Sequence, residues 1–473
     1  MRQRSLLVTL GSLAGAGALW GCLAAFFASS ALATTTASPF AIGGARVLSA
    51  AESPWAVHVE MSLNGSTAEA ACSGSIIDAN RVLTAGHCTY KEVLPWSEYE
   101  VRAGITNLSP DDQAQEQGRK VTRVRRHPYY VANTSVRDVA ILEVSPPFDF
   151  STPFVQPVPI AAPDVSPSAG ESLRFFGWGQ TAPDEYSPEM HSLTQTKLRG
   201  WQCPRPWQGR PSFSCQRSAT GSACKSDSGA GLVAGSAPIL VATVAAAEGN
   251  CVPGAINGGP DLTSPEISRW LRGDETPPRA PQARTIPGLA GSIRAKGTAR
   301  CVAAQWSGSA QLTTAFVDPT TGQTLQEGTS PRFRPTPSQV GNQIACVSIA
   351  TNAGGRSEIL SSNQARVAPA LPVRRATQLV KVVNRARRGE RWLIVLHVRA
   401  PLRSAHARVT WSTADCRSCR LRKRITLRRK VTLTSPRIIS HRRSLLELRL
   451  PRVETSRAIY RSGALRLRFP PPR

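Results

Sequence analysis

Acidic residues are scarce where they would matter most in this 473-residue chain: from Leu371 to Arg473 there are 28 Lys and Arg against 4 Asp and Glu. Most of the formal charge of +27 therefore sits in the last part of the chain. That tail also lacks zinc-finger spacing, a basic helix and an aromatic-rich platform, which argues against nucleic acid as a partner. Its charge points instead to an anionic cell-envelope surface. Helical periodicity is nearly absent, which excludes a helical bundle. Charged residues are missing altogether from Ser5 through Ala45, which argues against a first core helix there.

The uncharged stretch has the layout of an export signal. Met1 to Arg4 carries two arginines, an apolar run follows from Leu6, and the run closes on small residues at Ala31-Leu32-Ala33. Residues 1–33 read as a secretory signal peptide and residues 34–40 as a short propeptide. Two other readings stay open: an uncleaved membrane anchor, and lipoprotein-type cleavage at Leu19-Trp20-Gly21-Cys22. Either way the chain is expected to be secreted or associated with the cell envelope. Eleven cysteines is an odd count, but Cys22 lies in the signal and ten remain to pair in an oxidising compartment. Cys416-Arg-Ser-Cys419 has a metal-site look without a second pair, so a local disulfide is expected there, with no metal and no cofactor.

A chain of this length needs more than one hydrophobic core. Residues 41–273 are short apolar runs separated by Gly, Pro, Asn and Ser, and they read as all-β. Pro265 to Leu271 is the exception, a short amphipathic helix with Ile267, Trp270 and Leu271 on one side. Residues 274–287 hold four prolines and read as an exposed, semi-extended linker. In residues 288–368, Cys301, Trp306 and Cys346 suggest an immunoglobulin-like sandwich, with an inter-sheet disulfide against a buried indole. Residues 369–473 alternate apolar with arginine or polar residues, and this period of two predicts an arginine-rich β-sandwich.

Three segments carry chemistry. Cys72-Ser-Gly-Ser-Ile-Ile-Asp-Ala-Asn-Arg-Val-Leu-Thr-Ala-Gly-His87-Cys88, Val136-Arg-Asp138-Val-Ala-Ile-Leu142 and Cys224-Lys-Ser-Asp227-Ser228-Gly229 follow in that order. They resemble the histidine, aspartate and serine segments of the trypsin and chymotrypsin family of serine peptidases. Gly177-Trp178-Gly179 agrees with the resemblance. It implies two six-stranded β-barrels, a catalytic triad of His87, Asp138 and Ser228, and acyl transfer from a protein or peptide substrate. It further implies oxyanion donors at the amides of Ser226 and Ser228, and disulfides Cys72–Cys88, Cys203–Cys215 and Cys224–Cys251. Activation would release an amino terminus at Ala41 or Ile42, whose ammonium pairs with Asp227. A monomer is expected.

The departures from that family matter as much. Ser226 stands where the family has glycine; a side chain there restricts the backbone, and a mis-aimed oxyanion donor costs ~10²-fold or more in turnover. Ala245, Ala246 and Ala247 replace Ser-Trp-Gly in the strand lining the substrate cleft, removing a hydroxyl beside Asp138 and an indole floor. Ser222 stands where trypsins place aspartate, so with Ala247 and Gly259 it predicts a neutral specificity pocket, with Glu248 near the rim. The first reading is a secreted serine endopeptidase. The alternative is a catalytically impaired homologue acting as a cell-envelope or protein-binding module.

Overall fold

The computed structural model describes residues 44–63, 66–89, 98–109, 114–163, 165–182, 185–249, 251–388, 391–413, 416–435, 444–455 and 457–469. The export segment, the Leu19–Cys22 motif, the propeptide and both candidate amino termini, Ala41 and Ile42, lie outside the described residues. The molecule is 49% strand and 7% helix, as a sequence without 3.6-residue periodicity requires.

Six strands, Ala56–Leu63, Ser66–Asp78, Arg81–Thr84, Tyr99–Ala103, Gln117–Arg126 and Ala140–Ser145, close into a barrel. Alternation builds it. Val57, Val59 and Met61 enter one core with Val101, Ala103 and Leu142, because successive residues of a strand face opposite sides. The intervening Arg102 stays outside that core and forks onto Glu116 at 2.6 and 3.0 Å.

A second sheet runs in the order Ile239–Thr243, Gly231–Ala234, Ser172–Gly177, His191–Lys197, Phe213–Arg217, Ile256–Pro260 and Ala246–Ala247, with Ala45–Arg46 added against His191–Lys197. It curls back on itself: Ala242 bridges Asp261, and the amide of Ala245 donates to the Gly258 carbonyl at 2.9 Å. The helix Pro265–Leu271 packs Ile267, Trp270 and Leu271 into a cluster that also holds Trp55, Leu83 and Ile141 of the first unit and Phe176 and Leu240 of the second. Burying such side chains stabilises by about 1.5–3 kcal/mol each, so the helix fastens the two units together.

The linker differs from expectation. Pro277, Ala280, Pro281 and Pro287 are buried, and the amides of Gln282, Ala283 and Arg284 donate to Ser307, Gly209 and Gln305. Proline suits extended chain, but extended chain that finds backbone partners on both sides packs. Beyond it, Gly288–Gly291, Ala299–Val302 and Arg332–Phe333 form one sheet. Thr324–Gly328, Gln311–Val317, Gln343–Asn352 and Gly355–Leu360 form the other. Cys301 joins Cys346 between them. The ring in that core is not the expected indole: Phe316, stacked on Phe333 at 5.2 Å, packs there, while Trp306 is half-buried and donates to Ser348 Oγ at 3.1 Å. An indole N–H needs a partner, and the rim offers one that an apolar core does not.

The last region packs two main sheets around one core, with a third small sheet formed by Val373–Arg375, Ile459–Arg461 and Val453–Glu454. Val380–Arg388, Arg391–Val398 and Lys430–Thr434 form one main sheet, and Cys416–Thr426, His406–Thr413, Ser444–Leu450 and Gly463–Phe469 form the other. The alternating run from Arg424 to Leu433 does not form one strand. It divides between the two sheets, turning at Leu427, which is fully buried. Trp411, Leu446, Leu448, Leu467 and Phe469 face inward. On the outer face Arg424, Arg408 and Arg449 lie in one cross-strand row, and Arg422, Thr410, Glu447 and Arg466 in the next.

Candidate active site

The barrel brings His87 and Asp138 together by register. Arg81–Thr84 pairs antiparallel with Ala140–Ser145, with Thr84 opposite Ala140. The chain leaving the first strand and the chain entering the second therefore meet at one end. His87 sits there in the 3-10 turn Gly86–Cys88, and its turn is tied to the strand Ser66–Asp78 by Cys72–Cys88. Asp138 is buried, and its Oδ2 lies 2.8 Å from His87 Nδ1 while Oδ1 accepts the His87 amide at 2.7 Å. Two bonds to one residue fix both the ring and its backbone, and a proton on Nδ1 shared with the carboxylate leaves Nε2 as the ring's acceptor nitrogen.

Ser228 is carried on the turn that precedes Gly231–Ala234. The Ser73 amide donates to its carbonyl at 2.8 Å, and the same oxygen lies 3.7 Å from the sulfur of Cys88, the neighbour of His87. Gly229 makes this approach feasible: at φ 87° any Cβ would stand 2.2 Å from the Ser73 carbonyl and from Thr84 Oγ1. Asp227 turns the other way, into the interior. It is fully buried, and it accepts the amides of Gly179 and Cys224 at 2.9 Å each. Desolvation raises its pKa to about 7 against those two bonds. Gly177 and Gly179 are glycines because a Cβ would come within 2.4 and 2.2 Å of this carboxylate. Ala41 and Ile42, its expected partners, lie outside the described residues.

Ser226 holds φ 70°, in the left-handed region that favours glycine. Its carbonyl is pinned by the buried Ser73 Oγ at 3.0 Å. The serine thus keeps the backbone conformation that a glycine would take. Among the described residues, neither the Ser226 nor the Ser228 amide donates to another protein group.

A cleft of about 510 Å³ opens beside Ser228, lined by Gln180, Lys225, Gly249, Ala245, Ala246 and Ala247 among others. Ala247 is where the sequence places it. Ser222 and Gly259 are not on this wall. Ser222 lies behind it, fully buried, donating to the Ala223 carbonyl at 3.0 Å, and Gly259 backs onto the Thr243 carbonyl, 2.0 Å from where its Cβ would be. Sequence reasoning missed Asn257, which pairs with Ala247 across the sheet. Its Nδ2 donates to Ser222 Oγ at 3.0 Å and its Oδ1 accepts the Ala223 amide at 3.0 Å and Gln195 Nε2. It also missed Lys225, the one ionisable side chain among these lining residues, while Glu248 is not among them. The register of a two-residue edge strand decides which residue backs the cleft, and no local motif carries that register. A larger cavity, about 880 Å³, lies between the second sheet and the immunoglobulin-like domain, and no triad candidate lines it.

Cys203 joins Cys215 and Cys224 joins Cys251, the latter closing the loop beside the cleft. Cys416 and Cys419 sit on a described strand, but their side chains lie outside what is described. Cys72 and Cys88 approach His87 within ligand distance, yet their sulfurs are bonded to each other, so a single imidazole is left to bind a metal.

A two-unit β fold with a buried Asp–His pair in one unit and a serine loop beside a cleft in the other has the layout of the serine peptidases built on paired β-barrels. The comparisons agree. Residues 42–259 match the family described as Trypsin. Over 198 residues the chain is 29% identical to Trypsin alpha of Drosophila melanogaster, covering 40% of this chain and 71% of that protein. It is 30% identical over 168 residues to Serine protease 1 of Canis lupus familiaris, covering 34% and 64%, and 32% identical over 141 residues to Trypsin I-P1 of Gallus gallus, covering 29% and 53%. The chain carries a trypsin/chymotrypsin-like serine peptidase domain.

Proposed function

We propose that the protein is a secreted serine endopeptidase in which Ser228 attacks the scissile carbonyl, His87 takes and returns the proton, and Asp138 orients the imidazole. The observation that carries this reading is the buried Asp138 bonded to both the ring and the backbone of His87, beside a loop that offers Ser228 to a cleft. When the hydroxyl adds to the carbonyl, its proton passes to His87 Nε2 and the imidazolium is held by the carboxylate. The negative oxygen then meets the amides of Ser226 and Ser228, which no protein acceptor occupies among the described residues. Proton return to the leaving amine yields the acyl-enzyme, and water repeats the sequence. Ala246–Ala247 ends its sheet, so an extended substrate can add there through main-chain groups alone. Apart from Lys225 the described residues lining the cleft beside Ser228 carry no ionisable side chain, so uncharged side chains are favoured.

The test is labelling by a fluorophosphonate after processing at Ala41 or Ile42. Labelling that Ser228→Ala abolishes supports the peptidase. A processed chain that is never labelled supports the alternative, an impaired homologue that binds proteins or the envelope, which the bare alanine wall favours. Secretion rests on the signal-like segment and the disulfides. Envelope retention rests on the outer face of the last sheet, where Arg408 lies between Arg424 and Arg449 and like charges opposite one another are unfavourable, with Arg449 and Arg466 already paired to Glu447.

A further inference from the structure

The segment that presents Asp138 is strained. Within it Asn133, Ser135 and Arg137 hold φ of 61°, 54° and 54°, and non-glycine residues keep such a backbone only where their surroundings over-determine it. Two guanidinium groups supply the constraint. Arg210 donates to the Thr134 carbonyl, and Arg137 is paired with Glu266, both side chains of that pair being buried. Arg137 also lies over the Tyr129 ring, 5.7 Å from its centroid.

Neither anchor is fixed by the peptidase region alone. The Glu266 carboxylate also accepts Ser212 Oγ and the linker amide of Ala280, each at 3.0 Å. Its own amide donates at 3.1 Å to the carbonyl of Gly354, in the turn between Gln343–Asn352 and Gly355–Leu360. Beside Arg210, the Gly209 amide donates to the Glu358 carbonyl at 2.8 Å and the Gly209 carbonyl accepts Ala283 at 3.0 Å. Ser357 Oγ closes the set on the Pro281 carbonyl at 2.6 Å. The fit is close: a Cβ on Gly354 would stand 2.4 Å from the Ala280 amide nitrogen. A buried charge that loses its partner or its supporting donors is costly, so the pair holds only while these neighbours stay in place.

We propose that the immunoglobulin-like domain is an intramolecular brace for the triad carboxylate. Through Gly354 and the packed linker it holds Glu266, through Glu266 it holds Arg137, and so it fixes the next residue, Asp138, against His87. Glu266 and Arg137 are positioning residues, and the accessory domain is part of the machinery that makes the peptidase competent. The kinetic consequence rests on the peptidase reading; the mechanical one does not.

The experiment uses the full processed chain in three forms: unaltered, Glu266→Gln and Gly354→Val. Backbone hydrogen exchange over residues 131–139 reads the brace directly. Both variants are expected to lose protection there by ~10-fold or more, and to lose ~10- to 100-fold in kcat with KM within about twofold, the signature of a displaced catalytic group rather than lost binding. The acid limb of the kcat/KM profile should move as well, because a loosened Asp138 supports the imidazolium less. Gly354→Val alters neither side chain of the ion pair, and it decides the matter if Glu266→Gln does not fold. A folded Gly354→Val chain with unaltered exchange over 131–139 and unaltered kcat overturns the brace. An unaltered chain that never turns over or labels overturns the peptidase reading instead, and the exchange measurement still decides the brace.

Discussion

Asp227 gives the protein a stability that depends on pH in an unusual direction. Its carboxyl is fully buried and its pKa is raised from 3.8 to about 7. In the unfolded chain the group ionises near 3.8, while in the folded chain it keeps its proton to about 7. Between those values the native state binds more protons than the unfolded one, so stability is fully present below the lower value and is lost as pH rises towards the upper one. About three units at ~1.36 kcal/mol each give a loss of up to about 4 kcal/mol. The perturbation is Asp227→Asn in the uncleaved chain carrying Ser228→Ala, which prevents self-processing. Urea unfolding of the peptidase region from pH 4 to 8 should show the parent falling relative to the asparagine variant up to about pH 7 and running parallel above it. In the processed chain, an ammonium at Ala41 or Ile42 stabilises the charged carboxylate and the relative fall should vanish. Parallel curves throughout in the uncleaved chain would refute the reasoning, because the burial of Asp227 would then carry no proton linkage.

Two further outcomes are expected. Ser226→Gly should change kcat by no more than about threefold, since Ser226 already holds φ 70°; a gain of ~10²-fold would mean that the side chain had been turning the donor away. Its effect on stability should be small, because relief of ~1 kcal/mol of left-handed strain is offset by the added freedom of the unfolded chain. For the arginine face, full chain carrying Arg408→Gln, Arg422→Gln and Arg424→Gln should bind anionic vesicles far more weakly than the parent at ~0.01 M salt, with both released as the screening length falls from ~30 Å to ~8 Å near 0.15 M. Equal cosedimentation of the two at low salt would remove that face from the account.

The candidate site was unevenly legible. His87, Asp138 and Ser228 sit in local motifs whose surroundings have physical causes visible in the fold: Gly229 because Ser73 and Thr84 crowd it, and Gly177 and Gly179 because the Asp227 carboxylate lies against them. Such constraints act within a turn or between a turn and one neighbour, so they leave a readable mark. Asn257 left none. Its place behind the cleft follows from pairing Ala247 with a strand across a loop of irregular length, and counting along the chain led to Gly259 instead. Trp306 and the prolines of the linker were misread for a related cause: composition tells how a residue behaves alone, not which hydrogen-bond partners the neighbouring domain brings to it.

The sequence alone settled what short-range physics settles: strands rather than helices from the period of two, a conspicuous histidine, aspartate and serine in order, cysteines suited to export, and a cationic tail. Tertiary structure decided what lies within reach of what. Strand register put Asp138 on His87 and Asn257 behind the cleft, and the docking of one domain on another turned a proline-rich linker into a packed support for Glu266. Those outcomes depend on contacts between residues far apart along the chain, whose geometry is fixed only when the whole interior is filled.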